Sequence, residues 1–158
     1  MIKYGVFAFA VAAIDQLIKA YVRHLPLHEA FFEISGLFSL SPYINTGAAF
    51  SLLSGHTLFL AFFSLALLAA IWLYAFRRMC LTPPAKAALS CLAGGGMGNL
   101  LDRLLFSGVT DYIRLQFIDF PVFNLADIAI TGSVAILMIL LFTSALEETS
   151  EERNGSDD

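Results

Sequence analysis

With 158 residues, 58% of them hydrophobic and only 14% charged, at a mean hydropathy of +0.77, the chain is too apolar for an ordinary soluble domain. A spanning helix takes about 20 apolar residues, so this length admits about four spans and little else. Much of the acid behind the formal charge of -4 sits in the C-terminal tail, and no basic stretch with interleaved aromatics exists, so nucleic acid is excluded as a partner.

The first apolar segment runs from about Tyr4 to Val22, preceded by Lys3 and interrupted by Asp15 and Lys19. Its start imitates a cleavable signal peptide, but apolar character resumes past Asp15, which favours a retained span. From Pro26 to His56, short apolar runs such as Ile34 to Leu40 alternate with Gly, Ser, Pro and Asn and predict strand and turn. The second span, Thr57 to Phe76, carries no charge and stops at Arg77 and Arg78. Pro83 and Pro84 mark a turn and a helix start before the third span, about Ala85 to Leu105. The connection Phe106 to Phe123, aromatic yet carrying Asp111, Arg114 and Asp119, is expected at the membrane interface. The fourth span covers about Asn124 to Leu146, and residues 147–158 form an acidic tail expected to be disordered. Residues 1–146 thus make one membrane unit.

Basic residues in short connections set orientation, and Arg77, Arg78 and Lys86 occupy one turn without an acid. That turn is expected on the cytoplasmic side with both termini, leaving 26–56 and 106–123 outside. Lys19, Arg23, Arg103 and Arg114 fall on the outer side against this rule, unless Lys19 and Arg103 have partners within the membrane.

A charge at the centre of a spanning helix costs on the order of 3 kcal/mol, so each one calls for a reason. Asp15 and Lys19 stand at i and i+4 in the favourable orientation, where mutual neutralisation explains them better than catalysis. Gly94 and Gly98 form a small-xxx-small face for close helix packing, leading into Asn99 and Arg103, again one turn apart. An amide and a guanidinium on one face suit a peptide carbonyl or carboxylate; a headgroup anchor explains Arg103 equally well. Asn124 and Asp127 share a helix face near an N-terminus, where the dipole favours an anion. Asp111 follows the third span on the same side. Two carboxylates at one depth suit water-driven amide hydrolysis with one shared proton, although lone aspartates also serve structure or ion binding.

Other chemistries fit less well. His28-Glu29 lacks the second histidine of a zinc-protease helix, and Ser107 has no evident base beside it. Cys80 and Cys91 have no metal-site spacing and are expected to be structural.

Four separated motifs, the last split over two segments, carry a resemblance over roughly residues 4–143. They are Asp15-Gln16-Leu17-Ile18-Lys19, Asn45-Thr46-Gly47-Ala48-Ala49-Phe50-Ser51, Gly98-Asn99-Leu100-Leu101-Asp102-Arg103, and the pair Val109-Thr110-Asp111-Tyr112-Ile113 and Phe123-Asn124-Leu125-Ala126-Asp127. In these the chain resembles the lipoprotein signal peptidases, or signal peptidase II. The resemblance implies an all-α membrane protein of four transmembrane helices, with a small extracytoplasmic β-cradle between helices 1 and 2. It implies an aspartic endopeptidase of the bacterial inner membrane, with Asp111 and Asp127 as catalytic residues. Asn45, Gly47, Asn99, Arg103 and Asn124 would bind substrate or frame the site, and Asp15, Lys19 and Asp102 would support it. Phe31, Phe32, Phe38 and Phe50 would suit the half-immersed cradle, although plain interface anchoring explains any one of them. The implied substrate is a prolipoprotein cut before an S-diacylglyceryl cysteine. No metal or other cofactor is required, globomycin is an expected inhibitor, and a monomer in contact with membrane lipid is the default. Two other classes remain open: a small cation-coupled transporter using Asp15, Asp111 and Asp127, and a structural subunit held by Gly94 and Gly98.

Overall fold

The computed structural model describes residues 2–47, 53–77 and 81–155. The chain runs α1 (Ile2–Val22), β1 (Phe32–Ile34), β2 (Phe38–Asn45), α2 (Thr57–Arg77), α3 (Pro83–Phe106), β3 (Val109–Leu115) and α4 (Leu125–Gly155). Stretches within α1, α2 and α4 (Ile2–Val22, Thr57–Tyr74 and Leu125–Ser144) are long and apolar enough to cross a membrane. Their outward faces carry bare apolar side chains such as Phe9, Leu17, Phe62 and Ile139, the pattern expected where lipid is the solvent. α3 matches them in length, but Asn99, Asp102 and Arg103 lower its apolar character.

α3 is the central helix, touching each of the other three. Its start is set chemically: the Thr82 side chain accepts from Ala85 N, and two prolines fill the first positions, where no N–H is needed. Its end is a left-handed Ser107, φ 57°. The glycines explain its centrality. A Cβ at Gly94 would meet the Ala8 carbonyl and Val11 on α1, and one at Gly95 would lie 2.7 Å from the Ala126 carbonyl on α4. The small-residue face expected from Gly94 and Gly98 therefore seats α1, and Gly95 adds a second close approach, to α4.

One expectation needs correction. The cradle is not built from the first outer connection alone, nor is the chain all-α: a three-stranded antiparallel sheet in the order β1-β2-β3 takes its last strand from the segment between α3 and α4. A two-stranded ribbon is marginal by itself, and Val109, Thr110, Tyr112 and Ile113 supply a β-prone third strand. α4 continues past Leu146 to Gly155. Glutamate and arginine are good helix formers, and extending an existing helix avoids the cost of nucleation.

Candidate active site

β2 and β3 pair with Tyr43 opposite Asp111 and Asn45 opposite Val109, past a register shift between Leu40 and Tyr43. This pairing delivers Asn45 to Asp111, and Asn45 Nδ2 donates to Asp111 Oδ2 at 3.0 Å. The chain then loops out and returns: Phe123 N donates to Ile113 O at 3.0 Å, and Ile113 N donates back to Phe123 O at 2.8 Å. That bridge places Asn124 beside β3 and starts α4 at once. Asn124 Nδ2 donates to Asp111 Oδ1 at 2.6 Å, while Asn124 and Asp127 exchange capping bonds, N to Asp127 Oδ2 at 3.1 Å and Asp127 N to Asn124 Oδ1 at 3.0 Å. The reciprocal cap fixes Asp127 in the first turn of α4.

Asn99 of α3 joins the two carboxylates. Its Nδ2 donates to Asp127 Oδ1 at 2.8 Å, and its Oδ1 accepts from Asn124 Nδ2 at 3.2 Å and from Lys19 Nζ at 2.7 Å. An ammonium can only donate, so Lys19 fixes which end of the Asn99 amide faces Asp127. Lys19 in turn lies 2.8 Å from Asp15 and 3.5 Å from Asp102, all three side chains fully buried. Asp15 Oδ1 also accepts from Ala126 N at 3.0 Å, at the first turn of α4. Mutual neutralisation of Asp15 and Lys19 is thus realised, and the pair additionally aligns Asn99.

Asp102 accepts from Thr110 N at 2.8 Å and from Gln16 Nε2 at 2.8 Å, so it ties α1, α3 and β3 together. Arg103 donates to Asn99 O at 3.3 Å and to Gly47 O at 3.4 Å, and its buried Nε meets no acceptor among the described residues. Gly47 N donates to Asn45 Oδ1 at 2.9 Å, which links Gly47 to the Asp111 side of the site.

Asp15, Lys19, Asn45, Gly47, Asn99, Asp102, Arg103, Asp111, Asn124 and Asp127 all fall in this one cluster. Ala48, Ala49, Phe50 and Ser51, like Cys80, lie outside the described residues. Phe31 and Phe32 are exposed at the sheet edge and Phe38 is half-buried. Cys91 is free and half-buried on α3. Sequence reasoning overlooked Gln16, Arg23 and Thr110; their polar side chains beside Asp15, Lys19 and Asp111 were the available signal.

A cavity of about 540 Å³ opens over the two carboxylates, lined by Asn45, Asn99, Arg103, Asp111 and Asp127 together with Phe120, Phe123, Ile128 and Gly132. Asp111 is only 2% exposed, and burial pushes its carboxyl up to about 7, with the Asp127 charge pushing the same way against the Asn45 and Asn124 hydrogen bonds. A lining that combines apolar side chains with two acids and fixed amide donors can seat an amphiphilic chain and activate water beside it. Among the described residues, no three His, Cys, Asp or Glu side chains gather as metal ligands.

Comparison with known proteins agrees over nearly the whole chain. The family model described as signal peptidase (SPase) II matches residues 7–143. A lipoprotein signal peptidase of Brevibacillus brevis is 34% identical over 140 residues, covering 88% of this chain and 94% of its own. The Streptococcus pneumoniae protein of the same name is 35% identical over 154 residues, covering 96% and 95%. A solved structure described as a bacterial membrane enzyme at 2.3 Å superposes with a TM-score of 0.85 at 28% identity, over 92% of this chain and 90% of that one. The chain belongs to the signal peptidase II family, and is by that membership a membrane protease.

Proposed function

We propose that this protein removes signal peptides from lipoprotein precursors, using Asp111 and Asp127 as an aspartyl dyad. The observation that carries the proposal is the convergence of both carboxylates on one cavity, each held by amide donors from other elements. Two nearby carboxylates hold one proton between them, and burial favours it on Asp111. Asp127, in the first turn of α4 and receiving Asn99 Nδ2 and Asn124 N, is the partner that takes a proton from the attacking water. Asp111 then polarises the scissile carbonyl and passes its proton to the departing amine. The Arg103 guanidinium, with its Nε free of protein acceptors among the described residues, offers a donor to the substrate backbone.

In this reading α3 also crosses the membrane, bringing the spans to four, both termini are cytoplasmic, and the dyad sits near the extracytoplasmic surface at the outer end of α3 and the start of α4. The substrate is a precursor cut before its S-diacylglyceryl cysteine: the acyl chains enter lipid along the apolar side chains of the lining while the peptide bond reaches the dyad. The carboxyls supply acid and base without a cofactor, one chain supplies the whole site, and globomycin is the expected inhibitor. The sheet lies half-immersed beside the site, with Phe31 and Phe32 at its outer edge.

A small transporter would place its acids near the bilayer midplane. Asp111 and Asp127 instead lie on β3 and at the start of α4, where the chain leaves and re-enters the helical layer. The test is incubation of purified protein with S-diacylglyceryl precursor and with the unmodified precursor, read by mass spectrometry. Cleavage of the lipidated form alone, on the amino side of the cysteine, is expected; absence of cleavage by folded protein would overturn the proposal.

A further inference from the structure

We infer that Arg23 is a positioning residue for Asp111, acting through Thr110; the inference rests on the dyad reading above. Arg23 stands immediately past α1, on the side where charge bias does not expect a basic residue. Its Nη1 lies 3.0 Å from Asp102 Oδ1 and donates to Thr110 Oγ1 at 3.2 Å. The guanidinium also lies over the Phe106 ring, 4.1 Å from its centroid, at the end of α3. The other Asp102 oxygen accepts from Thr110 N. One carboxylate and one guanidinium therefore grip Thr110 by backbone and side chain together, one residue before Asp111.

The place of this grip in the fold gives it consequence. β3 is an edge strand of the sheet, and beyond β2 it has one bridge, to Phe123 at Ile113, so where the strand begins its other side depends on contacts outside the sheet. The Arg23–Asp102 pair supplies them where the strand begins. Lys19 cannot replace Arg23: it is engaged by Asp15 and Asn99 at 2.8 and 2.7 Å and lies 3.5 Å from Asp102. Arg23 also closes the charge count, two cations against Asp15 and Asp102. Its side chain is 18% exposed, so water screens the pair only in part.

A guanidinium that only held the helices together would alter the amount of folded protein. One that aims Asp111 alters turnover of the protein that has folded, since displacing a reacting group by about 1 Å costs on the order of a hundredfold. The test uses the full chain in detergent, with kcat and KM on S-diacylglyceryl precursor and the thermal midpoint for Arg23→Leu, Arg23→Lys, Thr110→Val and the Arg23→Leu/Thr110→Val double variant. Arg23→Leu is expected to lower kcat by at least about tenfold with KM within about twofold. Thr110→Val is expected to lower kcat less, the double variant no further than Arg23→Leu, and Arg23→Lys to recover part of the loss. Wild-type kcat in folded Arg23→Leu, or a rise in KM alone, would overturn the inference while leaving the dyad standing. If Arg23→Leu does not fold, Thr110→Val decides, because it leaves every charge in place: reduced kcat supports the inference and unchanged kcat overturns it. A wild type that cleaves nothing removes the dyad reading and this inference together.

Discussion

Lys19→Met removes the cation shared by Asp15 and Asn99 while nearly keeping its volume. Asp15, fully buried, would keep only the Ala126 N–H, and Asp102 would keep Arg23. Breaking a buried ion pair by deleting one partner costs about 3–5 kcal/mol, because the survivor stays out of water without compensation. In a chain of this size that corresponds to a fall in Tm on the order of 10 °C. The same deletion leaves Asn99 Oδ1 with Asn124 as its remaining donor, so the amide that serves Asp127 loses its strongest constraint. Turnover should fall by roughly ten- to a hundredfold in the protein that folds. The double variant Asp15→Asn/Lys19→Met separates the two effects. Neutralising both partners should restore about 2 kcal/mol or more of stability, yet Asn99 stays unaligned and turnover stays low. Thermal unfolding and single-turnover cleavage on the same preparations measure both. A single variant within about 1 kcal/mol of wild type, or a double variant less stable than the single, would refute this account of the buried cluster.

Gly98→Ala would drive its Cβ into the Asp15 carboxylate, a group held by Lys19 and Ala126 and unable to yield cheaply. A loss of about 1–3 kcal/mol is expected by thermal unfolding, larger than for Gly132→Ala, whose Cβ would meet nothing within 4 Å. Asp111 gives two pH signatures. Its carboxyl, raised to about 7 by burial and Asp127, must be protonated to act as the acid, so kcat should decline as pH rises above about 7. The folded pKa lies above the free value of 3.8, so the folded state holds this proton more tightly than the unfolded chain. Stability from this group is then full below about pH 4 and is lost by about pH 7, on the order of 4 kcal/mol in all. A melting series across that window should show the decline in wild type and a flatter profile in Asp111→Asn.

The helices were legible because lipid imposes a crude signal, long uncharged runs, and Thr57 to Phe76 shows it most plainly. α3 was legible for a different reason. Pro83, Pro84 and the Gly94–Gly98 run announced a start and a packing face even though polar residues dilute its apolar character. The charged residues in the helices could be marked by cost alone, and Asp15 with Lys19 by spacing. What spacing could not supply was that Lys19 reaches past Asp15 to Asn99, since that contact joins residues 80 apart and exists only because Gly98 lets α1 close on α3. β3 was missed because Asp111 and Arg114 interrupt its alternation and the aromatic flanks suggested an interfacial segment.

The central claim is that Asp111 and Asp127 together hydrolyse the peptide bond. The direct measurement is the cleavage rate of an S-diacylglyceryl precursor by purified wild type, Asp111→Asn and Asp127→Asn, each first shown to be folded by its melting transition. Both variants are expected to lose turnover by about a thousandfold or more while remaining folded. Cleavage by either variant at a tenth or more of the wild-type rate would contradict the claim.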